Sequence, residues 1–237
     1  MAHYPTRRGR RRPAGHYTST MPEQVSTIVV LISGAGSNLQ AIVRASLEQH
    51  WPAHVAAVIS NRADAPGLRY AASQGIATEV LDHRAAASRE AYDTLLMQRV
   101  DAHAPAAVVL AGFMRMLGPR FVQHFEGRLI NVHPSLLPAF PGLHTHRRAL
   151  EAGVRWHGAT VHLVSPELDA GPIVEQAVVP VLDDDTEASL AARVLEQEHR
   201  IYPAAVRALV EGRLRVQGQR VRVLPGRQAG AAAELRR

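Results

Sequence analysis

Runs of apolar residues recur along the first half of the chain and alternate with segments that have helical spacing. The clearest run is Thr27 to Ile32, TIVVLI, whose unbroken β-branched pattern is typical of a strand buried on both faces. Comparable runs span 55–59, 77–81, 106–110 and 129–132. Because strands that alternate with helices form right-handed βαβ units, this half of the chain predicts a parallel sheet.

The segments between these runs predict the helices that cover the sheet. LQAIVRASLEQH has helical spacing, and a second helix spans about 65–74 with Gly75 as its stop. Ser88 caps a longer helix, REAYDTLLMQRVDAH, which has acids near its start. Gly118 and Pro119 open a short helix.

A different pattern follows the helix that we predict over 145–153. Two segments alternate apolar and polar residues, 158–164 and 173–181, and the loop between them indicates an antiparallel hairpin. A long helix follows the acidic cap that ends at Thr186, and residues 213–223 alternate as a terminal hairpin. The fold class is therefore α/β: a Rossmann-like open, mostly parallel twisted sheet with flanking helices and an antiparallel C-terminal extension.

The net charge is concentrated at the two ends of the chain. The 237 residues carry +6, and the pI is about 10.6, which taken alone would suggest a nucleic-acid partner. Residues 1–20 carry +5 and residues 213–237 carry +6, so residues 21–212 carry −5. All 27 basic residues are Arg, which is typical of a compositional bias. We expect a disordered basic tail over 1–24, one folded domain over 25–224, a tail over 225–237 and no nucleic-acid partner.

The rest of the composition is that of one globular domain. The chain is 46% hydrophobic and 20% charged, which is enough to bury a substantial core. No apolar run approaches the roughly 20 residues that span a bilayer, and the first twenty residues lack the apolar region of a secretory signal. The absence of cysteine fits a reducing compartment. These features predict a cytoplasmic location and no membrane partner.

Two polar residues stand at the end of the fifth predicted strand. Asn131 and His133 are two residues apart and so project from one face, and Pro134 ends the strand. In an open parallel sheet, ligands bind at this carboxyl edge. An amide donor beside an imidazole suits a reaction that builds negative charge on a carbonyl oxygen. A polar strand cap before a proline-stiffened turn is the other interpretation, and these residues alone leave both open.

The first strand leads into a glycine turn, Ser33 to Asn38, and then a helix. This arrangement predicts an anion site, because backbone N–H groups and the positive helix end can approach a ligand. It lacks the Lys of a P-loop, and Leu39 stands where a dinucleotide site needs its third glycine. A single phosphate fits better, although an ordinary tight turn has the same spacing.

The string NVHPSLLP followed by PGLHTHRRAL resembles the active-site segment of the folate-dependent formyltransferases. SGAGSNLQAI, AGFMRML and ELDAGPIV resemble three further motifs of that family, and the likeness covers about Thr27 to Val223. By position, the resemblance implies that three residues are catalytic: Asn131, His133 and Asp169. It implies that a substrate phosphate is held by Gly36, Ser37 and Asn38, and that Glu198 lies near the glycinamide side. It also implies that a pterin is flanked by Met114, Arg115 and Leu117, and that Arg89 lies near its glutamyl tail.

The PGLHTH part looks like the branch of the family that acts on phosphoribosylglycinamide. The resemblance then implies that the amine of this ribonucleotide attacks the formyl carbon of 10-formyltetrahydrofolate, the co-substrate. Protonated His133 and the Asn131 amide would stabilise the oxyanion, while Asp169 would orient the imidazole. Neither an acyl-enzyme nor a metal ion is needed, and a homodimer is common in the family.

Three other functions compete with this reading. A methionyl-tRNA formyltransferase shares the HPSLLP loop but has a further tRNA-binding domain, for which too little chain remains after Val223. A formyltetrahydrofolate hydrolase has an N-terminal regulatory domain, which twenty-odd Arg-rich residues do not supply. A non-catalytic binding protein would use the Arg-rich ends and would show salt-dependent affinity for a duplex.

Overall fold

One nine-stranded sheet forms the centre of the protein. A computed structural model describes residues 25–226. The strands are β1 Ser26–Ile32, β2 Ala53–Ser60, β3 Ala77–Val80, β4 Ala107–Leu110, β5 Leu129–His133, β6 Trp156–Leu163, β7 Ile173–Pro180, β8 Leu214–Gln217 and β9 Arg220–Val223. Their order is β3-β2-β1-β4-β5-β6-β7-β9-β8. Strands β1 to β5 pair in parallel, as predicted.

Six α-helices cover the two faces of the sheet. They are α1 Ser37–Glu48, α2 Pro66–Ser73, α3 Arg89–Asp101, α4 Pro119–His124, α5 Thr145–Glu151 and α6 Glu187–Val210. Their positions confirm the predicted helices to within one or two residues at most ends, and a short 3-10 turn at His83–Ala85 was not predicted. The predicted segments 1–24 and 225–237 lie outside the described residues, apart from residues 225 and 226.

Strand β1 lies between two apolar layers, which explains its unbroken hydrophobic run. Ile28, Val30 and Ile32 pack with side chains of α1 and α6. Val29 and Leu31 point to the other face and pack with side chains of α3 and α4. All five are fully buried. Each such side chain contributes roughly 1.5–3 kcal/mol of transfer free energy, so the pattern itself stabilises a central strand.

Most strand pairs in the second half of the sheet are antiparallel. β6 pairs with β5 on one side and with β7 on the other, in both cases antiparallel. The predicted terminal hairpin forms from β8 and β9, and it joins the sheet through β9, which runs parallel to β7. The long helix α6 begins at a capping box between Thr186 and Ser189 and packs across β4, β5, β6 and β7. There the Tyr202 hydroxyl lies 2.9–3.0 Å from two strand carbonyl oxygens.

The strand order reverses between β1 and β4, and the loops that follow these strands are tied together there. Ser33, at the end of β1, donates its hydroxyl to Asn61 at 2.6 Å and accepts from the Met114 N–H at 2.8 Å. Its own N–H donates to the Gly112 carbonyl at 3.1 Å. The glycine turn and the segment after β4 therefore share one rigid edge, which is where open α/β sheets bind ligands. Within residues 25–226, no helix is long and apolar enough to span a membrane.

Candidate active site

A cavity of about 650 Å³ opens at the carboxyl ends of β4 and β5. It is lined by the segment after β4, by the loop after β5 and by the loop between β6 and β7. Six of the predicted site residues line it together: Asn131, His133, Asp169, Met114, Arg115 and Leu117. The fold thus brings the proposed catalytic and pterin-flanking residues to one place, although they are spread over 56 positions of the chain.

His133 is buried, with 6% of its surface exposed, and both of its ring nitrogens have neighbours. Nε2 lies 3.0 Å from the Phe140 carbonyl oxygen and donates to it. Nδ1 lies 3.5 Å from Asp169 Oδ2. Because a carbonyl can only accept, Nε2 keeps its proton and Nδ1 is the atom that can gain or lose one. The exchangeable proton on Nδ1 therefore faces Asp169.

Asp169 is held in the β6–β7 loop by its backbone. Its φ is +51°, in the left-handed region, which Asp tolerates better than most residues. Oδ2 accepts from the Gly142 N–H at 2.8 Å, and Oδ1 lies 3.9 Å from His162 Nε2. The next residue, Ala170, is not among the residues with positive φ, so its Cβ brings no backbone strain of that kind. At Gly171 a Cβ would lie 1.8 Å from the Leu163 oxygen, so that glycine is required.

The side chain of Asn131 is oriented by a buried histidine on the next strand. Asn131 lies opposite His162 in the β5–β6 pairing, and its Nδ2 lies 3.3 Å from His162 Nε2. His162 Nδ1 donates to the Leu163 oxygen at 3.1 Å, which leaves Nε2 free to accept. Burial lowers the pKa of His162 and keeps it neutral. One Asn131 N–H is thereby fixed and the other stays available to a ligand.

The wall of the cavity formed by the segment after β4 is apolar and unusually exposed. Met114 and Met116 are 73% and 60% exposed, and Leu143 and Leu168 across the cavity are also exposed. The Arg115 guanidinium lies over the Tyr92 ring at 4.5 Å, which holds it at the cavity edge. An exposed apolar cluster of this kind indicates a ligand surface, and polarisable methionines suit a flat ring.

Arg89 lies elsewhere. It is exposed on the first turn of α3 and lines a separate cavity of about 220 Å³ between α3 and α4, together with Asp93 and Arg120. It is not part of the main cavity lining. Its role near a glutamyl tail stays a prediction.

The other predicted binding residues gather at the start of α1. Gly36 has φ +76°, and a Cβ there would lie 2.9 Å from the Gly67 Cα, so the turn requires glycine. No side chain caps α1, which leaves the first N–H groups of the helix open to an anion. Ser37 is half-buried beside them.

Asn38 and Glu198 meet there although 160 residues separate them, because α6 packs on α1. Asn38 Nδ2 donates to Glu198 Oε2 at 2.7 Å. Burial raises the pKa of Glu198, and the bond from Asn38 opposes the rise. The Asn38 Oδ1 atom is buried without a partner among the described residues. These groups form a polar site that is not in the lining of the main cavity.

The partners of the catalytic pair were not predicted. Phe140 and Gly142 act through backbone groups, so their side chains carry no signal in the sequence. The contact of His162 with Asn131 depends on strand register, which no local motif in the sequence shows. Within residues 25–226, no three His, Asp or Glu side chains are arranged to hold a metal ion.

A buried histidine behind the site gives the stability of the fold a pH dependence. His157 is 1% exposed, and its ring meets those of His146 and Phe140 edge-on. Burial, helped by the charge of His146 and opposed by a hydrogen bond to the Pro134 carbonyl, lowers the pKa of His157 to about 4. The unfolded chain, with a His pKa of about 6.5, therefore binds the proton more readily, and stability is lost as the pH falls from about 6.5 towards 4.

We predict that His157→Leu flattens this dependence. Between pH 7.5 and pH 5 the free energy of unfolding of the variant should fall by about 1–2 kcal/mol less than that of the wild type, as urea titrations at both pH values would measure. His54→Leu, at an exposed position of β2, should keep the wild-type slope. An unchanged slope in His157→Leu would show that His157 does not carry the effect.

Comparison with known proteins gives one consistent result. The family model "Formyl transferase" matches residues 26–206. Phosphoribosylglycinamide formyltransferase of Escherichia coli (strain K12) is 56% identical over 189 residues, which cover 80% of this chain and 89% of that protein. The crystal structure of glycinamide ribonucleotide transformylase 1 from Symbiobacterium toebii has a TM-score of 0.84 and 47% identity, and the match covers 90% of this chain and 100% of that one.

A hydrolase of formyl folates shares the fold as well. A formyltetrahydrofolate deformylase from Pseudomonas syringae pv. tomato has a TM-score of 0.78 and 29% identity, and the match covers 85% of this chain and 67% of that one. The lower identity and partial coverage separate it from the two transferases.

Proposed function

This chain belongs to the formyl transferase family and has phosphoribosylglycinamide formyltransferase activity in purine biosynthesis, and from this premise we propose how its residues divide the reaction. The enzyme transfers the formyl group to the amine of 5'-phosphoribosylglycinamide, giving formylglycinamide ribonucleotide. The donor is 10-formyltetrahydrofolate, bound in the main cavity, and tetrahydrofolate leaves.

Charge stabilisation is the task of Asn131 and His133. When the amine attacks the formyl carbon, negative charge gathers on the formyl oxygen. The free N–H of Asn131 and the protonated Nδ1 of His133 donate to that oxygen, and both groups are fixed before the substrate arrives. Donors that need no reorganisation are the most effective way to stabilise such a transition state.

Proton transfer is the task of Asp169 together with His133. The Asp169 carboxylate lies 3.5 Å from Nδ1 and orients the imidazole. Asp169 also accepts the proton that the attacking amine must lose, directly or through a water, and His133 returns one to the leaving nitrogen. No covalent acyl-enzyme forms, because the amine is itself a nucleophile.

The two substrates bind on either side of His133 and Asp169. The N–H groups around Gly36, Ser37 and Asn38 hold the phosphate at the uncapped start of α1, and Glu198 accepts from the glycinamide end. The pterin lies against Met114, Arg115 and Leu117, and Arg89 lies near the glutamyl tail. The observation that carries the proposal is that Asn131, His133 and Asp169 line one cavity with an exposed apolar wall.

The remaining expectations follow from the family. We propose one formyltransferase domain over 25–224, a cytoplasmic enzyme that needs no metal ion, and a homodimer. Its partners are the two small-molecule substrates and neither nucleic acid nor membrane.

Glu198→Gln tests the assignment of the ribonucleotide end. Glutamine keeps an oxygen that can accept from Asn38 but loses the charge, and a bond to a charged acceptor contributes about 1.5–3 kcal/mol. The KM for phosphoribosylglycinamide should therefore rise about 10- to 100-fold, while the KM for the formyl donor changes less than about three-fold. Steady-state kinetics with each substrate varied in turn measures both values.

Glu196→Gln is the matched control. Glu196 is exposed on the same helix two residues away, so both KM values should stay at the wild-type level. Equal KM values for the ribonucleotide in Glu198→Gln and the wild type would remove Glu198 from the binding site.

A further inference from the structure

The loop after β5, residues 134–142, orients both members of the catalytic pair through its backbone. We call it the orienting loop. The Phe140 carbonyl accepts from His133 Nε2 at 3.0 Å, and two residues later the Gly142 N–H donates to Asp169 Oδ2 at 2.8 Å. A shift of this loop would therefore turn the imidazole and move the carboxylate together. Such shifts matter, because a misplacement of about 1 Å can cost about 100-fold in rate.

The orienting loop is strained where it meets the histidine. Phe140 has φ +54°, a left-handed conformation that a bulky side chain rarely adopts. A residue of this kind persists only when its surroundings hold it, at a cost of about 1–3 kcal/mol. The strain aims the Phe140 carbonyl at His133, so something outside residues 139–142 must fix the loop.

Thr160 on β6 is the group that does so. It is fully buried, and its hydroxyl donates to the Ser135 carbonyl at 2.7 Å and accepts from the Leu137 N–H at 3.0 Å. It also accepts from Gln176 Nε2 at 2.9 Å. One donor and two acceptors are the full capacity of a hydroxyl. Thr160 is thus saturated by contacts to the orienting loop and to Gln176.

Gln176 on β7 completes the attachment. Its Nε2 also donates to the Leu137 carbonyl at 2.9 Å, so Leu137 is bonded at both its N–H and its carbonyl. Ser135 in turn donates its hydroxyl to the Ala139 carbonyl at 2.6 Å, which carries the constraint to the residue before Phe140. The chain of bonds runs from β7 through Thr160 to the carbonyl that holds His133.

We propose that Thr160, supported by Gln176, is a positioning residue for catalysis: it fixes the orienting loop and thereby the geometry of His133 and Asp169. It does not touch the reacting atoms. The inference rests on the proposed roles of His133 and Asp169.

The test compares Thr160→Val with Thr160→Ser. Valine keeps the shape but leaves a buried N–H and a buried carbonyl without their partner, whereas serine keeps the hydroxyl. We expect kcat to fall about 10- to 100-fold in Thr160→Val, with both KM values within about three-fold of wild type, and to recover to within about three-fold in Thr160→Ser. For each variant, rates are measured at a temperature that lies 20 °C below its own melting temperature, so that unfolding does not contribute.

Thr27→Val is the control, because it is the same substitution at the opposite end of the sheet. The Thr27 hydroxyl also holds a loop, because it donates to the His103 carbonyl at 2.9 Å. That loop precedes β4 and is not one of the loops that carry His133 or Asp169. Its kcat should stay at the wild-type value whatever its melting temperature. An equal loss of kcat in Thr27→Val, or a normal kcat in folded Thr160→Val, would overturn the proposal.

Gln176→Leu decides the matter if Thr160→Val does not fold. Gln176 is exposed, so this variant should fold, and it should lose about 3- to 10-fold in kcat with unchanged KM values; a wild-type kcat would overturn the proposal. Failure of the positioning role can be distinguished from failure of the proposed mechanism. If His133 and Asp169 variants lose activity while these variants do not, only the positioning role fails, and if all remain active the proposed mechanism fails.

Discussion

Replacing Asp169 by asparagine should lower kcat by roughly 1,000-fold and leave both KM values within about three-fold of wild type. The amide has the shape of the carboxylate and still accepts from the Gly142 N–H, which is 2.8 Å away, so the loop should keep its conformation. It has no negative charge to offer the imidazole 3.5 Å away, and it cannot take the proton of the amine. Steady-state kinetics, followed by the absorbance change of the formyl donor, measures the effect.

The control for this variant is Asp183→Asn. Asp183 pairs with Arg155 at 2.9 Å, but its side chain is 88% exposed, and surface pairs contribute about 0–1 kcal/mol. Its kcat should be that of the wild type. A folded Asp169→Asn enzyme with kcat within about three-fold of wild type would contradict the assignment of Asp169 as a proton acceptor.

The second large effect is expected at His133. His133→Gln should lower kcat by about 100- to 10,000-fold, the range for loss of a general acid–base group, while the substrates still bind. Glutamine can reach the Phe140 carbonyl with its own N–H, so the orienting loop keeps one of its contacts. Glutamine cannot carry a positive charge or exchange a proton near neutral pH, and the proposed mechanism requires both of His133 Nδ1. Kinetics as above, with substrate affinity from a binding titration, separates the two effects.

His124→Gln is the matched control for the histidine. His124 also pairs with an aspartate, Asp101, at 2.8 Å, but on the surface and outside the cavity lining. This variant should have the wild-type kcat. If His133→Gln retained normal turnover, or lost activity only because it no longer bound the donor, the proton-transfer role would be wrong.

Most strands and helices can be predicted from the sequence, because each is determined by the residues within it. The run TIVVLI predicted β1 because a strand covered on both faces needs an apolar side chain at every position, and both faces are covered. Ser88 predicted the start of α3, and its hydroxyl accepts from the Ala91 N–H as a cap should. The parallel pairing of β9 with β7 rests on a single register pair, Ile173 with Arg220, and no local pattern encodes such a contact.

The residues of the site, too, can be predicted from the sequence only where the signal is local. The alternation of a strand predicted that Asn131 and His133 face one side, and both line the cavity. Asp169 alone looks like turn chemistry, since nothing near it in the sequence shows that the β6–β7 loop returns to β5. Only the resemblance to the family identified it. The backbone partners at Phe140 and Gly142 could not be predicted, because the contacts depend on a left-handed residue in a loop rather than on side-chain identity.

The measurement that tests the central claim most directly is the absorbance of a 10-formyl folate donor mixed with the purified protein, with and without phosphoribosylglycinamide. We expect the donor to lose its formyl group only when the ribonucleotide is present, in stoichiometry with formylglycinamide ribonucleotide, and expect the rate to collapse in Asp169→Asn. Donor consumption without the ribonucleotide would instead indicate a hydrolase that shares this fold, and no consumption under either condition would contradict formyl transfer at this site.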